Sequence, residues 1–225
     1  MYNYFIKDGY ACNLDKTGNP IPYINDEYSG MIFQVQVYEY ARKIIKLNGL
    51  QSILDVGCGF GAKLEKIIYP VCQDIVGVDV EHAISYCKEK YQFGDWVIDD
   101  IEFPQKKLDN QFDMIISSDV IEHLVNPDKL LEYIRHYCHA HTHIIISTPE
   151  RDRISNQNPL GPPRNQTHVR EWNMSELHSY FRSRGFSITN HILVGEKPTS
   201  YWAQIKKIIR NKALRKIQVV LCHRE

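Results

Sequence analysis

Apolar residues recur at helical spacing over 32–47, at Phe33, Val37, Tyr40, Ala41, Ile44 and Ile45, and Asn48-Gly49 ends the run. The pattern then changes. Short β-branched stretches at 52–56, 74–79, 96–99, 112–117 and 143–147 read as strands. Helical stretches at 62–69, 83–91 and 127–138 fall between them. Pro70 stops the first of these helices. Asn126 caps the last, with Pro127 at its first position, where a missing N–H costs nothing. Strands alternating with helices predict an α/β domain: a mostly parallel sheet with helices on both faces. A helix at 174–184 ends near Gly185, a strand at 186–194 follows, and a basic helix at 200–214 leads to a last strand at 217–223. The final two strands complete a seven-stranded sheet as an antiparallel edge pair. Segment 1–31, irregular and rich in Tyr, Asn and Pro, reads as an arm and candidate lid on a single domain at 32–225, with Tyr23, Tyr28 and the Phe33-Gln34-Val35-Gln36-Val37-Tyr38 helix start as its residues of interest. The loop at 148–171 is longer than a compact domain needs for a connection alone, which points to function.

Composition narrows the class. The chain has 225 residues, 43% hydrophobic and 24% charged, enough apolar material for one packed core and too much for disorder. Its 27 basic and 27 acidic groups cancel, which argues against a nucleic-acid binder held by net charge. No apolar run approaches the roughly 20 residues of a membrane span. The start, MYNYFIKDGYACNLDK, has no secretory pattern, so a cytoplasmic location is expected. The six cysteines form no C-x-x-C pair and are expected as reduced thiols.

The chemistry begins at Ile53-Leu54-Asp55-Val56-Gly57-Cys58-Gly59-Phe60-Gly61, a strand entering a glycine turn before a helix. Ligands of open α/β sheets bind beyond such strand ends. The spacing is G-x-G-x-G, unlike the G-x-G-x-x-G of nicotinamide sites. Asp55, just before the turn, repels a pyrophosphate and suits an ammonium or sulfonium group. Asp79 ends the second strand, where a carboxylate can accept from both ribose hydroxyls, and Asp100, after the third, is placed to accept from an adenine amino group.

With IVGVD, DDIEF, FDMIISSDVIEHL and HIIISTPERD following in order, the chain resembles a class I S-adenosylmethionine (SAM) methyltransferase over about 32–195. The resemblance implies a Rossmann-like fold and SAM as cofactor. It implies Asp79 and Val80 at the ribose, and Asp100 and Ile101 at the adenine, with Asp99 the alternative. Gly57, Cys58 and Gly59 fall at the methionyl end, and Ser117 and Ser118 near the sulfonium. Cys58 is read as a packing residue of the turn and not as a nucleophile.

A metal site is the second expectation. As one helical turn, Asp119-Val120-Ile121-Glu122-His123 places Asp119, Glu122 and His123 at i, i+3 and i+4 on one face. Two carboxylates and an imidazole suit Mg²⁺ or Mn²⁺, and His168 in Thr167-His168-Val169-Arg170-Glu171-Trp172 supplies a fourth candidate. This set resembles the E-x-x-E-H metal segment of ubiquinone-biosynthesis O-methyltransferases and of small-RNA 2′-O-methyltransferases, the latter with a His before an E-W pair. The first acid here is Asp. If no metal binds, His123 or His168 becomes the candidate general base.

Arg151, Arg164 and Arg170 lie in or beside the long loop and read either as solvated or as contacts to an anionic acceptor. His139, His141 and His143 alternate but fall at the amino end of the sheet, away from the expected cofactor. Trp96 reads as core or pocket wall. The FQVQVYEYARKI and STPERD…GPPRNQTHVREW segments are similar to those of bacterial surface-polysaccharide methyltransferases. The expected function is therefore O-methylation of a small polar hydroxyl acceptor, such as a sugar, a nucleotide-linked sugar or another polyhydroxylated or phosphorylated precursor of a bacterial surface polysaccharide. A metal-dependent RNA 2′-O-methyltransferase and a non-catalytic SAM-binding protein are the alternatives.

Overall fold

The computed structural model describes residues 4–21, 33–154, 158–195 and 217–224. Tyr23, Tyr28 and the basic helix expected at 200–214 lie outside them. Seven strands form one sheet: β1 (Ser52–Val56), β2 (Asp74–Asp79), β3 (Asp95–Ile98), β4 (Phe112–Ser118), β5 (Cys138–Pro149), β6 (Phe186–Val194) and β7 (Ile217–Arg224). Their order is β3-β2-β1-β4-β5-β7-β6. The first five pair in parallel; β7 is antiparallel to both β5 and β6 and lies between them. That position suits β7, whose first six residues are all buried, while β6 at the edge is half-exposed.

Helix α1 (Val35–Asn48), a π-helical segment (Leu64–Ile68) and α2 (Glu81–Lys90) cover one face; α3 (Pro127–His136) and α4 (Met174–Ser183) cover the other. Strand alternation feeds both layers. Ile53 packs under α1, whereas Leu54 and Val56 face α3 and α4. Asn126 accepts from the Asp128 N–H, as expected of its cap, and Asn173 with Glu176 forms a reciprocal capping box on α4.

Two expectations change. The 62–69 helix is built mostly of five π-helical residues directly after Lys63. Strand β5 begins at Cys138 and not at residue 143: Cys138 already pairs with Phe112, the register then shifts before Met114 meets His143, and His139 and His141 fall in that irregular stretch at half-exposed and exposed positions. Of the expected arm, segment 4–21 packs on the α3/α4 side of the sheet, and residues 22–32 lie outside the described residues. Ile6 is buried in the α3/α4 core, and Trp172 Nε1 donates to the Tyr4 carbonyl.

Candidate functional site

The carboxyl ends of β1, β2, β3 and β4 open into one cavity of about 570 Å³. Gly57 and Gly61 shape it, both at positive φ. A Cβ on Gly57 would stand 2.2 Å from Val120 Cγ2, and one on Gly61 2.8 Å from the Trp96 ring, so neither position admits a side chain. Trp96 is core, packed over Gly61 and Gly77.

Asp79, Val80, Asp100, Ile101, Gly57, Cys58, Gly59 and Ser118 all line this cavity, as expected from the sequence. Asp79 Oδ2 accepts from the Gly59 N–H and Oδ1 from the Val80 N–H, both at 2.7 Å. The carboxylate therefore ties the end of β2 to the glycine turn. Asp99 also reaches the wall, but its Oδ1 accepts from the Asp100 and Gln105 N–H groups at 3.0 and 2.8 Å and organises that loop.

Two expected cofactor residues do not line the cavity. Ser117 is fully buried with its Oγ unpartnered. Asp55 is fully buried and accepts from Tyr38 Oη at 2.8 Å, so Tyr38, carried by α1, stands where the carboxylate was expected. Burial pushes the Asp55 carboxyl up to about 7, against the Tyr38 hydrogen bond and the Lys63 charge. A raised acid stabilises the fold below its unfolded value of 3.8, and that contribution is lost as pH rises through about 7. Asp55→Asn is accordingly expected to gain stability over the wild type between pH 4 and 8, by about 4 kcal/mol at most. Urea midpoints of both proteins across that range check it; parallel curves would contradict it.

The metal candidates come together in part. Glu122, His123 and His168 each offer a ligand atom within 4.8 Å of the others. The Asp119–His123 stretch is not the expected helical turn. Asp119 has φ 56°, only Ile121–His123 forms a 3₁₀ turn, and Asp119 falls outside the set. Its carboxylate accepts instead from Gln34 Nε2. Glu122 is fully buried; Thr148 Oγ1 donates to its Oε2 at 2.9 Å, and its Oε1 has no hydrogen-bond partner. Burial first, and Asp119 second, hold the Glu122 carboxyl well above the usual range. His123 Nδ1 lies 2.9 Å from the Thr167 carbonyl and so carries the proton, making Nε2 the basic atom. Burial and then His168 push His123 down to about 4. His168 Nδ1 lies 2.6 Å from Glu171 Oε1, the carboxylate–imidazole pairing typical behind metal-bound histidine. Asn13 Nδ2 donates to the carbonyls of Pro163, Asn165 and His168, which anchors this loop to the N-terminal segment.

The loop arginines divide. Arg151 is buried and bound to Glu176; Arg170 is buried and donates to the Leu124 and Val125 carbonyls, both at 2.9 Å. Neither is available to an acceptor. Arg164 is exposed. His139 binds Asp113, and His143 packs against His223 at the opposite end of the sheet. Phe33, Gln34 and Tyr38, from the helix start named with the arm, also line the cavity, and Lys63 lines it without having been singled out from the sequence. All six cysteines are free thiols, and no helix among the described residues is long and apolar enough to cross a membrane.

Comparison with known proteins identifies the family and the fold. A family model described as a methyltransferase domain matches residues 33–191. A mitochondrial ubiquinone biosynthesis O-methyltransferase of Dictyostelium discoideum is 29% identical over 125 residues, 49% of this chain and 39% of that protein. The chain thus spans about two fifths of that relative. A SAM-dependent methyltransferase from Clostridium acetobutylicum superposes with TM-score 0.62 at 12% identity, covering 88% of this chain and 92% of that one. The plantazolicin methyltransferase BpumL, solved with a triazolic desmethylPZN analog and SAH, superposes with TM-score 0.62 at 20% identity and 88% coverage of both chains. At these identities the structural likeness speaks for the fold.

Proposed function

The chain belongs to the methyltransferase-domain family, with the class I SAM-dependent fold, and on that premise we propose that it methylates a hydroxyl oxygen with the help of a divalent metal ion. The observation that carries the metal is Glu122 Oε1, a buried carboxylate oxygen without a partner, grouped with two imidazoles. Burial and the Asp119 charge disfavour the ionised form of Glu122, and a cation in ligand reach favours it. Glu122, His123 and His168 would hold the ion. Two nitrogens and an oxygen favour a borderline ion such as Mn²⁺ over Mg²⁺. Such an ion supplies Lewis acidity, lowering the pKa of a hydroxyl it binds.

The chain's own residues do the positioning. Thr148 orients Glu122, the Thr167 carbonyl sets the His123 tautomer, and Glu171 does the same for His168. Asp79 is assigned to the ribose hydroxyls and Asp100 with Ile101 to the adenine. The acceptor oxygen bonds to the methyl carbon as the S–C bond breaks, S-adenosylhomocysteine leaves, and the hydroxyl proton is lost to solvent. Holding both partners in line supplies most of the acceleration, since the sulfonium is already activated.

The acceptor in this reading is a small polyhydroxylated compound offering neighbouring oxygens, a sugar or nucleotide-linked sugar. An anionic group on it is not required, because Arg151 and Arg170 are engaged elsewhere. The balanced charge of the chain favours it over RNA. The test is a methyl-transfer assay over sugars, nucleotide sugars, catechols and RNA with a free 2′,3′-diol, with and without chelator. The expected product carries an O-methyl group, and its formation stops on chelation and resumes with Mn²⁺. N- or C-methylation, or turnover indifferent to chelation, would overturn the proposal. Cofactor binding without transfer to any acceptor would instead favour a non-catalytic protein.

A further inference from the structure

The strand order gives the cavity a direction. Asp99, Asp100 and Ile101 follow β3 at one side, Asp79 ends β2, the glycine turn follows β1, and Ser118 and Asp119 close β4 on the far side. A SAM molecule with its adenosine at β3 and β2 must send its amino-acid chain toward β1 and β4. That chain ends in an ammonium and a carboxylate. The cavity walls are rich in acids, which suit the ammonium and the sulfonium.

For the carboxylate the walls offer, among the described residues, one lysine and no arginine. Lys63 lines the cavity just past the glycine turn, at the entry to the π-helical segment. Its Nζ lies 5.2 Å from the centroid of the Tyr38 ring, the side chain that hides Asp55. Burial works against its ammonium, and the carboxylates of Asp55 and Asp119 oppose that effect.

We propose that Lys63 binds the α-carboxylate of the cofactor's methionyl end and makes the site select cofactors that carry this group. This role rests on SAM as the cofactor and is independent of the metal. The alternative role, a counter-ion to Asp55 and Asp119 alone, makes a different prediction. An acid-rich cavity by itself attracts decarboxylated SAM, which has lost a negative charge, more strongly than SAM. A preference for SAM therefore requires donors directed at the carboxylate, and its loss on removing Lys63 assigns that task to the lysine.

The test is calorimetric titration of the full-length chain with SAM and with decarboxylated SAM, for the wild type, Lys63→Met and Lys63→Arg, with no metal added. The wild type is expected to bind SAM about 10- to 100-fold more tightly, the worth of one hydrogen bond between charged groups. Lys63→Met should lose that preference by weakening SAM while leaving the decarboxylated ligand within about threefold, and Lys63→Arg should retain part of it. Equal binding of both ligands by the wild type would overturn the proposal without recourse to a variant. So would a Lys63→Met protein that keeps the wild-type ratio, or one that weakens both ligands alike. Should Lys63→Met not fold, Lys63→Gln takes its place with the same expected and overturning results.

Discussion

Asp79→Ala is expected to abolish useful cofactor binding while leaving the fold in place. The carboxylate has two tasks that meet at one point. It accepts from the Gly59 and Val80 N–H groups at 2.7 Å, holding the glycine turn against the end of β2. It also lines the cavity where the ribose hydroxyls are assigned. If it holds the ribose as proposed, removing it forfeits about two charge-assisted hydrogen bonds to the ligand, each worth roughly 1.5–3 kcal/mol, and frees the turn to shift. The expected loss of S-adenosylhomocysteine affinity is at least about 100-fold. Asp79→Asn keeps one accepting oxygen and should fall in between. Calorimetric titration of folded variants measures this, with the thermal transition as control. A folded Asp79→Ala protein that binds within about threefold of the wild type would remove Asp79 from the site.

Arg151→Ala is expected to act on stability and not on recognition. The sequence offered this arginine as an acceptor contact; the fold gives it to α4. Its guanidinium sits 2.7 and 2.8 Å from the two Glu176 oxygens, donates to the Glu171 carbonyl at 3.1 Å, and has a side chain only 1% exposed. Glu176 is itself 11% exposed and closes the capping box with Asn173. Deleting the arginine leaves that carboxylate only the Asn173 and Lys7 N–H groups and no opposite charge, and breaking a buried pair in this way costs about 3–5 kcal/mol. In a domain of this size that lowers the midpoint of thermal unfolding by about 6–20 °C. Affinity for S-adenosylhomocysteine, measured well below the transition, should change little. Near-wild-type stability with lost turnover would instead return Arg151 to the acceptor.

What the sequence made legible was local. The bounds of β1, β2 and β6 match their hydrophobic runs, because turn residues delimit each one. Asp79, Val80, Asp100 and Ile101 fall on the cavity wall because a residue at the end of a parallel strand reaches that edge whatever else the fold does. The misplacements came from tertiary partners. Asp55 lies in the expected motif, yet Tyr38, 17 residues upstream on another element, covers it. Asp119 was aligned with Glu122 and His123 by assuming helical periodicity, and its left-handed backbone breaks that register. Arg151 and Arg170 looked solvated or ligand-binding because Glu176 and the carbonyls of Leu124 and Val125 are brought to them only by folding. Lys63 had a faint signal, a single polar residue at the entry of a helical stretch. Such residues are ordinarily solvent-facing, and nothing local distinguishes this one.

Metal-assisted methyl transfer requires that Glu122, His123 and His168 hold an ion beside the cofactor. The most direct measurement is Mn²⁺ binding, followed by electron paramagnetic resonance, to the full-length chain saturated with S-adenosylhomocysteine. The wild type should bind one ion per chain, and a His123→Ala/His168→Ala double variant should lose that binding while still taking up S-adenosylhomocysteine. A wild-type protein with bound cofactor and no specific Mn²⁺ site, or a double variant that binds the ion as well as the wild type, would contradict the metal site.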